Sequence, residues 1–112
     1  MTSCYLIENP ETGKLKIGIA NSVKNRLEDL QTACGCKLRV LQQIDFDKRD
    51  EALAMERRLH NYFEDSRIWF EKGERTGRGQ GHHVRRTEWF EPKIKDEAVK
   101  YMNVFANRKG KR

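Results

Sequence analysis

Cys4-Tyr-Leu-Ile-Glu-Asn-Pro-Glu-Thr-Gly-Lys-Leu-Lys-Ile-Gly-Ile19 reads as a β-hairpin, and the rest of the chain can be placed around it. Cys4 to Glu8 is a short run of β-forming residues. Asn9 to Gly13 holds Pro and Gly in the roles they play in chain reversals. Leu15 to Ile19 then returns as the second strand. Beyond it, Asn21 or Ser22 can cap a helix reaching about Thr32, with Val23, Leu27 and Leu30 on one side. Cys34-Gly-Cys36 makes a turn. Leu38 to Phe46 forms a third strand, and its polar Gln42 and Gln43 imply one exposed face.

The next segment, Glu51-Ala-Leu-Ala-Met-Glu-Arg-Arg-Leu-His-Asn-Tyr-Phe63, repeats at helical spacing, with Asp47 or Asp50 as its cap. At about 100° per residue, Ala52, Leu53, Leu59 and Phe63 share one stripe. Glu56 falls near the centre of that stripe, and His60 follows one turn later. A carboxylate in an apolar stripe must be partnered or neutralised, because stripping water from a lone charge costs several kcal/mol. Glu56 is therefore a candidate cation ligand. The order β-β-α-β-α, then an aromatic-rich segment and a last helix, defines an α+β domain with a three-stranded antiparallel sheet flanked by helices.

After Trp69-Phe70 the chain turns to glycine and arginine, and a mobile loop is expected over about residues 71–87. Glu88-Trp-Phe-Glu91 closes the main domain near residue 92. Pro92 suits the start of a helix over 93–107, in which Ile94, Ala98, Tyr101, Met102 and Phe105 repeat. Residues 108–112 form a basic tail expected to be disordered.

A chain of 112 residues with 37% hydrophobic and 36% charged residues supports one domain with a small core and a densely charged surface. No apolar run approaches the roughly 18 residues of a membrane span, and Cys4-Tyr-Leu-Ile7 is too short for a signal core. Three cysteines, an odd count, argue against a disulfide framework and for a reducing compartment. A cytoplasmic protein with no membrane partner is expected.

The net charge of +6 is unevenly placed: residues 61–112 hold 13 Lys+Arg against 8 Asp+Glu, whereas residues 1–60 are nearly balanced. Clustered positive charge favours a polyanion through counterion release. Lys24, Arg75, Arg78, His82, His83, Arg85 and Arg86 are the candidate phosphate contacts. A zinc site from Cys34-x-Cys36 with His82-His83 is a rival, but the spacing suits such sites poorly.

Tyr5, Lys16-Ile17-Gly18, Arg26 and Glu56 together supply a phenol, an ammonium, a guanidinium and a carboxylate near the small core. Phosphodiester cleavage asks for these types: a base for water, an arginine fork for the charge gathering on phosphorus, and a hard cation for the leaving oxygen.

On these residues the chain resembles the GIY-YIG nucleases. Ser3-Cys4-Tyr5 stands where that family has Gly-Ile-Tyr, and Lys16-Ile17-Gly18 where it has Tyr-Ile-Gly. Leu59-His60 and Glu88-Trp89-Phe90 look like its phage-associated branch, and the resemblance covers roughly residues 3–91. It implies a DNA endonuclease with Tyr5 as general base or water-orienting group, helped by Lys16 or by metal-bound hydroxide. Arg26 would hold the scissile phosphate, and Glu56 would bind one Mg²⁺ or Mn²⁺. His60 by itself reads more often as a packing or hydrogen-bonding histidine than as a ligand, and its catalytic role would be an extra water or phosphate contact. Ser3 and Cys4 depart from the family pattern, as does the ammonium of Lys16 in place of a phenol.

Tyr5 also reads as a core tyrosine, Lys16 as an outward charge, and Arg26 with Glu56 as a buried salt bridge. The alternatives for the whole chain are a non-catalytic nucleic-acid-binding module and a basic adaptor. Without a separate DNA-reading module, specificity would come from the loop, the tail, a homodimer or a protein partner.

Overall fold

The hairpin forms, and Asn9 organises its turn. The Asn9 side-chain oxygen accepts from the backbone N–H groups of Glu11 (2.9 Å) and Thr12 (3.4 Å), and Asn9 N–H donates to the Lys14 carbonyl (2.9 Å). Gly13 closes the reversal at φ +80°, a left-handed conformation that glycine adopts without strain. This computed structural model describes residues 1–71 and 84–110.

The strands and helices are β1 (Thr2–Glu8), β2 (Leu15–Ala20), α1 (Val23–Cys34), β3 (Arg39–Phe46), α2 (Arg49–Tyr62), β4 (Arg67–Glu71), β5 (Val84–Phe90) and α3 (Lys95–Gly110). Short 3₁₀ turns at Glu64–Ser66 and Pro92–Ile94 precede β4 and α3.

The sheet has five strands in the order β3-β1-β2-β5-β4, not the three expected, and every neighbouring pair is antiparallel. The two extra strands flank the segment read as a loop and overlap its ends. Glu71 ends β4, and residues 84–87 belong to β5, with Arg86 and Arg85 registered against Trp69 and Phe70. Pairing between β4 and β5 across an intervening segment is a long-range property that no local window displays. Arg75, Arg78, His82 and His83 lie outside the described residues.

β1 lies between β3 and β2 and is buried along its whole length. Its side chains alternate between two unequal cores, as strand geometry requires. Cys4 and Leu6 join Leu15, Ile17, Ile44 and Phe46 beneath α2 (Ala52, Met55, Leu59) and α3 (Ala98, Met102). Tyr5 and Ile7 face the other way, toward Ala20, Val23 and Leu38, under α1. The layers are thus α1, sheet, and the α2–α3 pair.

The helix ends show how local chemistry worked. Ser22 caps α1 by accepting from Asn25 N–H (3.2 Å), while Asn21 instead accepts from the Thr2 hydroxyl (3.0 Å). Gly35 terminates α1 at φ +67°, and Leu38 N–H donates to the Gln31 side-chain oxygen (2.8 Å). Neither Asp47 nor Asp50 caps α2. Its N-cap is Lys48, without a side-chain bond, and Asp50 and Glu51 lie in its first turn, where acids favour the positive end of the helix dipole.

A disulfide joins Cys34 to Cys36, contrary to the expectation from cysteine count, and Cys4 is free and buried. It spans a single turn and ties no two elements of the sheet together. With their sulfurs bonded to each other, Cys34 and Cys36 are not thiolate ligands for zinc. Among the described residues no helix is long and apolar enough to cross a membrane.

Candidate active site

The sequence-expected residues reach β1 and β2 from both faces of the sheet. On the α1 face, Tyr5 registers directly opposite Gly18 across the β1–β2 pair. The phenol lies over that glycine: a Cβ at position 18 would sit 2.5 Å from the Tyr5 hydroxyl oxygen and 2.8 Å from its ring carbon. Any side chain there would displace the tyrosine. Gly18 therefore keeps open the space in which the phenol is held. Tyr5 itself is 1% exposed.

Two residues back along the same face of β2, Lys16 is half-buried. Its ammonium stands 5.5 Å from the ring centroid of Trp89, its register partner on β5. That is cation–π distance. Trp89 packs in turn against the Tyr5–Ile7 cluster. α1 covers this face with Val23, and with Leu27 and Leu30 half-buried beside it. Arg26 and Lys24 are exposed on the same helix. Among the described residues no carboxylate pairs with Arg26, so an Arg26–Glu56 salt bridge is not what holds Glu56.

Glu56 comes from the other side. It is 9% exposed on α2, within the stripe that also buries Ala52, Met55 and Leu59, and its carboxylate is partnered within the protein. The thiol of Cys4 on β1 is pushed up to about 12, first by burial and then by the negative charge of Glu56. The thiol thus stays protonated beside the carboxylate. Among the described residues no three His, Cys, Asp or Glu side chains gather as a metal cage. A cation at Glu56 would have one protein carboxylate, and water or phosphate oxygens would fill its remaining positions.

One turn beyond Glu56, His60 is fixed at both ring nitrogens. Nε2 lies 2.9 Å from the Ile17 carbonyl, and Nδ1 lies 3.1 Å from Arg67 Nη2. Both nitrogens are committed inside the protein, which matches the reading of His60 as a hydrogen-bonding histidine and not the water or phosphate contact. Arg67 was not singled out from the sequence. It is 12% exposed at the side chain, pairs with Glu64 (3.1 Å), and lies 5.7 Å from the Phe90 ring.

The β2–β5 ladder covers only Leu15 and Lys16. Immediately beyond it come the carbonyl held by His60 and the glycine beneath Tyr5. Three separately encoded segments thus converge on Lys16-Ile17-Gly18: β1 through Tyr5, β5 through Trp89, and α2 through His60.

An α+β domain whose central hairpin carries a phenol and an ammonium, and whose second helix brings in a nearly buried carboxylate, has the group types for handling a phosphodiester. Its family is shown by sequence: residues 2–106 match the T5orf172 domain. The chain belongs to that family, a phage-associated one allied to nucleases. No curated protein and no solved structure matches the chain.

Proposed function

We propose that this domain is a metal-dependent DNA endonuclease of the GIY-YIG type. The observation that carries the reading is the convergence on Lys16-Ile17-Gly18. Binding to a polyanion would need neither the space kept for the Tyr5 phenol by Gly18 nor a nearly buried Glu56 close to Cys4 of β1.

Tyr5 takes the proton of the attacking water or orients that water, using an oxygen whose position Gly18 fixes. Lys16, held beside Trp89, adds positive charge on the same face. Arg26, exposed on α1, forks onto the scissile phosphate and stabilises the charge that accumulates there. Glu56 offers one hard oxygen ligand suited to Mg²⁺ or Mn²⁺. Such an ion, when bound, supplies Lewis-acid stabilisation of the leaving oxygen. Cleavage of the bond between phosphorus and the 3′ oxygen would leave a 5′-phosphate and a 3′-hydroxyl.

On the α1 side of this reading, Lys24 and Arg26 are exposed. Arg85 and Arg86 of β5, with residues 75–83, extend the basic character in sequence. Phosphate contacts of this kind give modest sequence preference and steep salt dependence.

The test is nicking of supercoiled plasmid in Mg²⁺, Mn²⁺ or EDTA by wild type, Glu56→Gln and Arg26→Ala. Metal-dependent nicking that both changes reduce by about 100-fold or more, with DNA binding retained, is the expected result. Wild-type protein that binds DNA but never cuts it, in any of these metals, would replace the nuclease with a binding module.

A further inference from the structure

Arg67 has a side chain only 12% exposed, and its partners form a chain. The 3₁₀ turn Glu64–Ser66 ends on it, so that it opens β4 directly opposite Phe90 of β5. From there its planar fork divides. Nη1 meets the Glu64 carboxylate at 3.1 Å, and Nη2 meets His60 Nδ1 at 3.1 Å. The fully buried Phe90 ring backs both partners, with its centroid 5.3 Å from the imidazole and 5.7 Å from the guanidinium carbon.

A guanidinium has donors and no acceptor. Nδ1 of His60 must therefore be the accepting nitrogen, which places the ring proton on Nε2. That proton is the one given to the Ile17 carbonyl at 2.9 Å. The carbonyl belongs to the first β2 residue beyond the β5 ladder, and Gly18 beneath Tyr5 is the next residue. The chain Glu64–Arg67–His60–Ile17 thus ties the end of α2 to the backbone of the hairpin motif.

We infer that Arg67 is a positioning residue of the site: it selects the Nε2–H tautomer of His60, and through that hydrogen bond it holds Lys16-Ile17-Gly18 in register with α2. The effect on cleavage rests on the nuclease reading, whereas the tautomer does not. A lysine at 67 would not substitute, because one ammonium on a flexible stem does not reproduce a planar fork serving Glu64 and His60 together. His60→Gln should substitute in part, since an amide N–H₂ can still donate to the Ile17 carbonyl.

The experiment combines ¹⁵N NMR of the histidine side chains with plasmid nicking and DNA binding, on wild type, Arg67→Lys, Arg67→Met, His60→Gln and His60→Leu. Wild-type His60 should show the Nε2–H tautomer at neutral pH. Arg67→Met should give a mixture of tautomers and a rate about 10–100-fold lower at unchanged DNA affinity, the range typical when a supporting hydrogen bond is lost. His60→Gln should retain more rate than His60→Leu. A wild-type proton on Nδ1, or an Arg67→Met protein with wild-type tautomer and rate, would overturn the inference. Should Arg67→Met fail to fold, Arg67→Lys and the two His60 variants carry the same comparison. Failure of wild type to cut would remove the nuclease reading and leave the tautomer measurement to decide this one.

Discussion

The two faces of the sheet are built on different terms. The α2–α3 face holds a continuous core in which Leu59, Phe90, Ala98 and Met102 are fully buried, and α2 adds to that side a nearly buried Glu56 and a part-buried His60. The α1 face holds a smaller cluster, with Leu27, Leu30 and Trp89 only half-buried and with Lys24 and Arg26 exposed. One face supplies stability and a carboxylate. The other supplies cations in positions that a ligand can reach. A domain of this size does both because β1 is buried on each side, and alternate residues of one strand serve the two purposes.

Gly18→Ala is the sharpest way to break that division. It adds one methyl to the α1 face, 2.5 Å from the Tyr5 oxygen. The strain of such overpacking is about 1–3 kcal/mol, and the phenol must move to relieve it. If Tyr5 is the base or water-orienting group, nicking should fall by about 100-fold or more, with a modest loss of melting temperature. Tyr5→Phe should fall similarly, and the double variant should be little worse than either alone. Additive losses would mean that Gly18 acts on something other than Tyr5.

Stability should divide the other way. Leu59→Ala, in the larger core, should cost about 2–5 kcal/mol, read by urea denaturation. Leu27→Ala, half-buried on the α1 face, should cost distinctly less. Equal losses would show that the smaller cluster contributes as much as the larger, and the comparison would fail.

The same contrast governs what the sequence reveals. The hairpin, the Ser22 cap and the Glu56 stripe are local patterns of two- or 3.6-residue period, and each is found where the pattern puts it. β4 and β5 are not visible in this way. Val84-Arg-Arg-Thr87 lacks apolar alternation, and these residues are ordered by partners on β4 rather than by their own propensity. Arg67 carries no periodic signal at all. Its partners lie seven residues back, three residues back and across the sheet, so only the folded arrangement brings out its role. The motif order places Tyr5, Lys16, Arg26 and Glu56 near the small core. That they approach the sheet from opposite faces follows from strand alternation and from which helix covers which side.

Glu8 gives a smaller effect, at the end of β1 away from the site. Its carboxyl is held below the ordinary 4.5 by the Lys95 hydrogen bond first and by Arg39 second, against the opposing effect of burial. The ion pairs measure 3.0 Å to Lys95 and 2.9 Å to Arg39. Because the folded value is depressed, the stabilisation is complete above about pH 4.5 and disappears as pH falls through the folded value. The lysine and arginine are themselves 40% and 60% exposed, so solvent screening limits the gain to about 1 kcal/mol. Glu8→Gln should lower stability at pH 7 by that amount and flatten the pH dependence below 4.5. An unchanged acid limb would remove Glu8 as its cause.

Thiol chemistry compares the faces with almost no perturbation of the fold. Cys4, under α2, is a buried thiol whose proton is held up to about 12 by burial and by Glu56. Thiolate, not thiol, reacts with iodoacetamide, so at pH 8 the native protein should take up no label at Cys4. Cys34 and Cys36 lie at the end of α1, joined to each other. After gentle reduction, mass spectrometry should find two adducts, and a third only after denaturation. A third adduct on reduced but folded protein would mean that the α2 side opens as readily as the α1 side. The larger core would then lose its claim to be the rigid half, and Glu56 would sit in a layer that moves.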